Sequence, residues 1–145
     1  MGQTQTSIYV NFEEVQDMIN TSTNVCLVNT LEAAMQSCLI VGTIHASNED
    51  DIINELIKTN IHQLIIVYGL NDLDSTVKQK YDKLINCGFK NVKIYLGGLF
   101  EWLLLQEAFG FNLFQTTIKS SDVDLLAFKP KKQIQTNNIQ LIGWK

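Results

Sequence analysis

Five consecutive apolar residues, Leu64, Ile65, Ile66, Val67 and Tyr68, stand between Gln63 and Gly69 and are the strongest constraint this sequence places on its fold. A strand with one wet face alternates apolar and polar side chains, whereas an unbroken run must be covered on both faces, as strands of parallel sheets are. The run therefore predicts the centre of a parallel sheet. A parallel neighbour needs a crossover connection, usually a helix. Residues downstream supply one: Val77, Tyr81, Leu84 and Ile85 recur at helical spacing, and Gly88 is placed to end that helix.

The alternation extends in both directions. Residues 8–10 read as a short strand, followed by a helix with Asn11 as N-cap and Phe12, Val15, Met18 and Ile19 on one face. Residues 25–28 and 39–41 are compact apolar runs, the first bounded by Asn24 and Asn29, the second ending at Gly42; both predict short strands. Ser47 or Asn48 can cap a helix with Glu49, Asp50 and Asp51 in its first turn, where the helix dipole favours acids, and with Ile52, Ile53, Leu56 and Ile57 as its buried face. Residues 92–96 then predict a last strand, and Gly97 and Gly98 turn into another helix. Strands alternating with helices over about 90 residues specify an α/β fold with a parallel sheet. At 145 residues the chain suits one core without disulfide or metal staples.

In the segment 99–109 the only polar residues, Glu101, Gln106 and Glu107, are scattered around the helical wheel. A helix apolar on all sides must be covered on all sides, so either the tail, residues 110–145, wraps it or a partner does. Covering by its own tail is the simpler reading. Within that tail, residues 122–128 read as a short helix and 139–142 as a short strand, with Pro130 between them. Trp144 suits a packing anchor, and an arm carrying Ile139, Leu141 and Trp144 could also dock on another subunit.

Composition narrows the function. Residues 1–57 hold eight acids and no lysine, a charge of −8; residues 58–145 hold seven acids and all eleven lysines, a charge of +4. The lysines are scattered apart from Lys129, Lys131 and Lys132, and there is no arginine, which argues against nucleic-acid binding. Sixteen Ile and thirteen Asn beside the single Pro are the usage of an AT-rich genome, which also depletes arginine. Cys26, Cys38 and Cys87 are odd in number and follow no metal-ligand spacing, so reduced thiols in an intracellular compartment are expected. His45 and His62 have no catalytic or metal-binding partner at motif spacing, and neither a metal nor a cofactor is expected. No apolar run approaches the roughly 18 residues of a membrane span.

The segment Leu64-Ile65-Ile66-Val67-Tyr68, then Gly88-Phe89-Lys90-Asn91-Val92, then Gly97-Gly98-Leu99-Phe100-Glu101-Trp102 resembles the second half of the rhodanese-like family. Upstream, Leu27-Val28-Asn29-Thr30 stands at the family's Ile-Asp-x-Arg and Gly42-Thr43-Ile44-His45 at its Gly-His-Ile-Pro, with Asn29 and Leu31 departing from the Asp and Arg. The resemblance covers residues 9–109 and is nearest to the rhodanese-like proteins of large eukaryotic DNA viruses, with which the residue usage and long tail agree. It implies a three-layer α/β fold with a five-stranded parallel sheet flanked by helices. The expected organisation is an N-terminal segment 1–7, a rhodanese-like domain 8–109 and an extension 110–145 that packs on the domain or a partner.

In that family the loop after the central strand carries a cysteine whose thiolate takes up sulfane sulfur, its pKa lowered by backbone N–H groups facing the cradle. Here the loop reads Gly69, Leu70, Asn71, Asp72, Leu73, Asp74, Ser75, with no sulfur, no cation and two carboxylates. One extra negative charge ~4 Å from a bound anion costs on the order of 4 kcal/mol at an effective dielectric of ~20, before screening by salt. The residues also have a plain structural role: Asn71 and Asp72 form turns, and Asp74 or Ser75 caps the following helix. The expectation is a catalytically inactive rhodanese-like protein that acts as a binding or structural module, with a protein partner or a homo-oligomer. The alternative is a sulfurtransferase or sulfur carrier that uses a displaced cysteine.

Met1 to Thr6 satisfies the N-myristoylation frame, with Gly2 as the acceptor. A single acyl chain gives only reversible membrane binding, and no polybasic patch follows it. The resemblance and this frame together place the chain in the host cytoplasm or virus factory, or in a virion or membrane-associated assembly.

Overall fold

A computed structural model describes residues 7–21 and 24–131. Gly2, Lys132, the strand expected at 139–142 and Trp144 lie outside the described residues. Five parallel strands, β1 (Tyr9–Val10), β2 (Val25–Asn29), β3 (Thr43–Ile44), β4 (Leu64–Tyr68) and β5 (Val92–Tyr95), form one sheet in the order β1-β5-β4-β2-β3. The helices are α1 (Phe12–Asn20), α2 (Ala46–Thr59), α3 (Thr76–Asn86) and α4 (Gly98–Phe109). The apolar run is the central strand, and its side chains divide between two cores as the period of two requires. Ile66 and Tyr68 join Leu27, Leu99, Trp102 and Phe114 on one face, while Ile65 and Val67 join Ile53, Val77, Leu84 and Phe89 on the other. Each fully buried side chain of this size contributes about 1.5–3 kcal/mol relative to exposure.

Helix α1 begins as its sequence specifies. Asn11 Oδ1 accepts from Glu14 N (2.9 Å) and Glu14 Oε1 accepts from Asn11 N (3.1 Å), a reciprocal cap that satisfies two orphan donors. Helix α2 departs from expectation at its start and on its face. Its cap is His45, whose Nδ1 accepts from Ser47 N at 3.1 Å, so neither Ser47 nor Asn48 fills that position. Ile53 is buried but Ile52 and Ile57 are exposed, because the inward position one turn earlier belongs to Glu49, which pairs with Lys80 of α3. Ile85 of α3 and Leu96 beyond β5 are likewise exposed.

The apolar run 39–41 is a second correction. Ile40 pairs with no strand of the sheet, although its N–H donates to the Tyr68 hydroxyl at 3.1 Å; it bridges antiparallel to Thr116, and Thr117 N donates to Leu39 O (2.8 Å) while Val41 N donates to Gln115 O (3.1 Å). The sheet strand comes after Gly42, whose φ of +84° turns the chain into β3.

The tail covers α4. Trp102 is packed edge-on against Tyr95 and Phe114, with centroids 6.1 and 5.1 Å away, and its Nε1 donates to Gln115 O at 3.1 Å. Gln106, one of the scattered polar residues, is buried: Nε2 donates to Phe114 O (2.6 Å) and Thr116 Oγ1 (2.9 Å), and Oε1 accepts from Ser120 N (2.6 Å). The single short helix expected at 122–128 is instead two 3-10 turns, Ser120–Asp122 and Leu125–Phe128, separated by extended Val123 and Asp124.

Candidate functional site

The loop after β4 lies at the carboxyl ends of the parallel strands, where α/β folds place their sites. β4 delivers Gly69 into the interior, where it is buried. A Cβ built on Gly69 would lie 2.5 Å from Asp74 Oδ2, 2.6 Å from Val77 Cγ2 and 2.7 Å from Thr30 Oγ1. The volume a side chain would need is filled by groups from the loop, from α3 and from the end of β2. Glycine here is a packing requirement.

Asp74 is the nearest of the three. Its Oδ2 accepts from Leu70 N at 2.9 Å, and its Oδ1 accepts from Thr76 N at 3.0 Å and Thr76 Oγ1 at 2.5 Å. The carboxylate thus takes backbone N–H groups at both ends of the loop and caps α3, while Ser75 makes no side-chain cap bond. An anionic group of the protein itself thus bridges the two ends of the loop. Thr76 Oγ1 also lies 2.8 Å from Thr30 Oγ1, closing the floor between α3 and β2.

The remaining loop residues divide between structure and surface. Asn71 is buried; its Oδ1 accepts from Leu73 N (3.0 Å) and its Nδ2 donates to Phe128 O (3.0 Å), so the tail is tied directly to the loop. The carbonyls of Gly69 and Leu70 accept from Leu99 N and Phe100 N, both at 2.9 Å, which fixes the loop to the start of α4. Gly98 has a φ of +70°, and a Cβ there would sit 2.7 Å from Gly69 O, so the second glycine of the pair permits this close approach. Asp72 does not face the cradle with Asp74. It lines a separate groove with Leu96 and Phe100.

An open cleft of about 400 Å³ lies over the loop, lined by Thr30, Glu32, Met35, Leu73, Asp74 and Lys131 among others. Its β2 wall is held by a pair of amides: Asn29, at the position of the family's Asp, and Gln36, which the sequence did not mark. Buried Asn29 donates to Gln36 Oε1 (3.1 Å) and accepts from Gln36 Nε2 (2.7 Å) and Leu31 N (3.0 Å), and Gln36 Oε1 also accepts from Ala46 N (3.0 Å). Leu31 is buried in the core. Gln36 and Thr76 carried no signal by type or spacing, and Thr30 and Lys131 were marked only as part of a motif and of a lysine cluster; Gln36 lies next to a 3-10 turn with nothing to mark it as buried.

The three cysteines line neither this cleft nor the polar cleft beside it, where Glu49, Asp50, Lys80 and Lys83 cluster. Burial, with Glu49 adding to it, pushes the half-buried Cys26 thiol up to about 11. Burial also raises Cys38, against the weak bond its Sγ donates to Ile118 O at 3.8 Å. Cys87 is exposed at the C-terminal end of α3. His45 is committed to capping α2, and His62 is exposed. Among the described residues no cluster of three His, Cys, Asp or Glu could hold a metal ion, and no helix is long and apolar enough to cross a membrane.

No protein-family model matches the chain, and no curated protein matches it in sequence. Solved structures do share its fold. The BH2092 protein from Bacillus halodurans superposes with a TM-score of 0.59 at 19% identity, over 81% of this chain and 82% of that one. The Alr3790 protein from Anabaena sp. gives 0.54 at 17% identity, over 66% and 75%. A thiosulfate sulfurtransferase from Pseudomonas aeruginosa gives 0.55 at 17% identity; the match spans 68% of this chain but 19% of that one. The chain has the rhodanese-like α/β fold.

Proposed function

We propose that this chain is a catalytically inactive rhodanese-like protein that works as a binding or structural module. The observation that carries the reading is Asp74, whose carboxylate occupies the loop and takes Leu70 N at one end and Thr76 N at the other. A second anion brought to ~4 Å of it meets a repulsion of about 4 kcal/mol at an effective dielectric of ~20, before screening. The packing around Gly69 supports the same reading, because it leaves no room for a nucleophilic side chain. Assayed for thiosulfate:cyanide sulfurtransfer, the full chain is expected to give no turnover above background and no persulfide on Cys26, Cys38 or Cys87. Robust activity that disappears on changing one cysteine would overturn the proposal in favour of a displaced thiol.

The proposal includes a protein partner or homo-oligomer and reversible membrane association through an acylated Gly2. The frame at residues 1–6 and the absence of lysine before Lys58 support a weak anchor in place of a stable one. It also includes a viral setting, supported by the AT-rich residue usage. Mass spectrometry of the N-terminal peptide from native material tests the anchor, with an unmodified Gly2 ending that part. Absence of the chain from both purified particles and infected-cell membranes would end the virion and membrane assignment.

A further inference from the structure

On the side of the loop opposite the cleft lies an open groove of about 610 Å³, lined by Phe12 at the start of α1, by Leu96, and by Phe100 and Leu104 of α4. Leu96 and Leu104 are 46% and 44% exposed, large apolar side chains left uncovered at the edge of an otherwise tail-covered helix. Contiguous apolar surface of this kind marks an interaction site. The described tail does not close it: Pro130 lines the groove, but Lys131, the next residue, lines the cleft across the loop. Asp72 and Glu101 also stand in the groove lining, with no lysine among them. Asp72 is exposed and makes no side-chain bond among the described residues, while half-buried Glu101 accepts from the Tyr95 hydroxyl through Oε1 at 2.7 Å.

We propose that this groove seats an amphipathic helix of another protein, apolar along one face and bordered by lysine or arginine. Charge selects this occupant. A second copy meeting the groove with the same face would bring Asp72 and Glu101 against their own counterparts, and an anionic lipid surface would meet the same two carboxylates. A cationic border on the incoming helix pairs with both instead. The spacing suits a helix as well: Phe100 and Leu104 lie one turn apart on one face of α4, a ridge against which apolar residues at i and i+4 of a partner helix pack. The proposal rests on the reading of the chain as a binding module and names the chemistry of the partner; it asks nothing of the loop.

The test titrates the full chain into a fluorophore-labelled synthetic helix built of leucine and lysine, with a leucine and glutamate helix as its counterpart, and reads anisotropy at physiological salt. The lysine helix is expected to bind and the glutamate helix is not. Leu104→Ser and Asp72→Lys, both at exposed positions in the groove, are each expected to weaken binding about tenfold. Leu73→Ser in the cleft across the loop and Asp50→Lys in the polar cleft are expected to leave it within about twofold, as substitutions remote from an interface do. Thermal unfolding of the four variants confirms that each is folded, and Asp72→Asn gives a milder second reading of the same carboxylate. Failure of the lysine helix to bind overturns the proposal, as does equal weakening by Asp72→Lys and Asp50→Lys, which would report attraction to net charge alone. Light scattering that shows a dimer dissolved by Leu104→Ser overturns it in favour of a second copy, and anionic vesicles that bind the chain and release it on Leu104→Ser overturn it in favour of lipid. Sulfurtransfer is assayed separately on the unmodified chain, so loss of the binding result and loss of the inactive-loop reading are told apart.

Discussion

Gly69 and Asp74 are one feature at the level of single residues. The carboxylate fills the volume beside the glycine, so neither is free to change alone. Gly69→Cys is expected to yield no sulfurtransferase and to destabilise the protein by roughly 1–3 kcal/mol, the usual cost of overpacking, because Val77 and Thr30 are β-branched and Asp74 is held by its hydrogen bonds. Asp74→Ala removes the bonds to Leu70 N and Thr76 N, with an expected loss of about 1 kcal/mol. Urea denaturation of both and of the double variant should show non-additivity, the double variant being more stable than the sum of the two predicts. Cys26 gives a pH dependence. Burial raises its folded pKa from 9.0 to about 11, so the folded state holds the proton that the unfolded state releases. The stabilisation is complete below pH 9 and is lost as pH rises from 9 through 11. Tyr68 and Tyr95 are raised by burial as well and act in the same direction, so the check is the comparison with Cys26→Ala, whose stability should fall less steeply over that window.

Among the elements, α4 shows how a helix with no hydrophobic face is placed. Its one buried polar side chain, Gln106, gives it direction by fastening the returning tail through three bonds. Gln106→Leu keeps the volume but leaves Phe114 O and Ser120 N unsatisfied in the interior, each costing about 1–3 kcal/mol. An overall loss of about 3 kcal/mol is expected, and hydrogen exchange should quicken in residues 113–120 ahead of the sheet. Invariant exchange there would mean that apolar packing alone holds the tail. The regular elements were legible from the sequence because their signals are local: Asn11 and Glu14 for the start of α1, the period of two resolved around β4, Gly88 with its φ of +106° at the end of α3. The run 39–41 was misread because a short apolar stretch looks the same whether it pairs within a sheet or with a distant tail. The cap of α2 was misread because Ser47 and Asn48 are better cappers than His45 in general; the start of the helix is set by β3 instead.

For the molecule as a whole, the tail is part of the fold rather than an attachment to it. It bonds to residues 39–41, roofs Trp102 and reaches the loop through Asn71. Cutting the chain after Gly110 is expected to expose Leu99, Trp102 and Leu103 and to leave an aggregating product, whereas cutting after Lys131 is expected to leave a soluble one; equal solubility of the two, measured by sedimentation, would contradict that role. By itself the sequence determined the α/β class, the central strand and the absence of a thiol from the loop, because continuous burial, helical periodicity and residue identity are properties of neighbouring positions. Only the tertiary structure decided what fills the space beside Gly69. Thr30, Asp74 and Val77 come from the end of a strand, a loop and a helix, and they converge on Gly69 through packing that no spacing along the chain encodes. The same holds for Asp72, two positions from Asp74 in sequence and on the opposite wall of the loop, where charge alone could not have told the two apart.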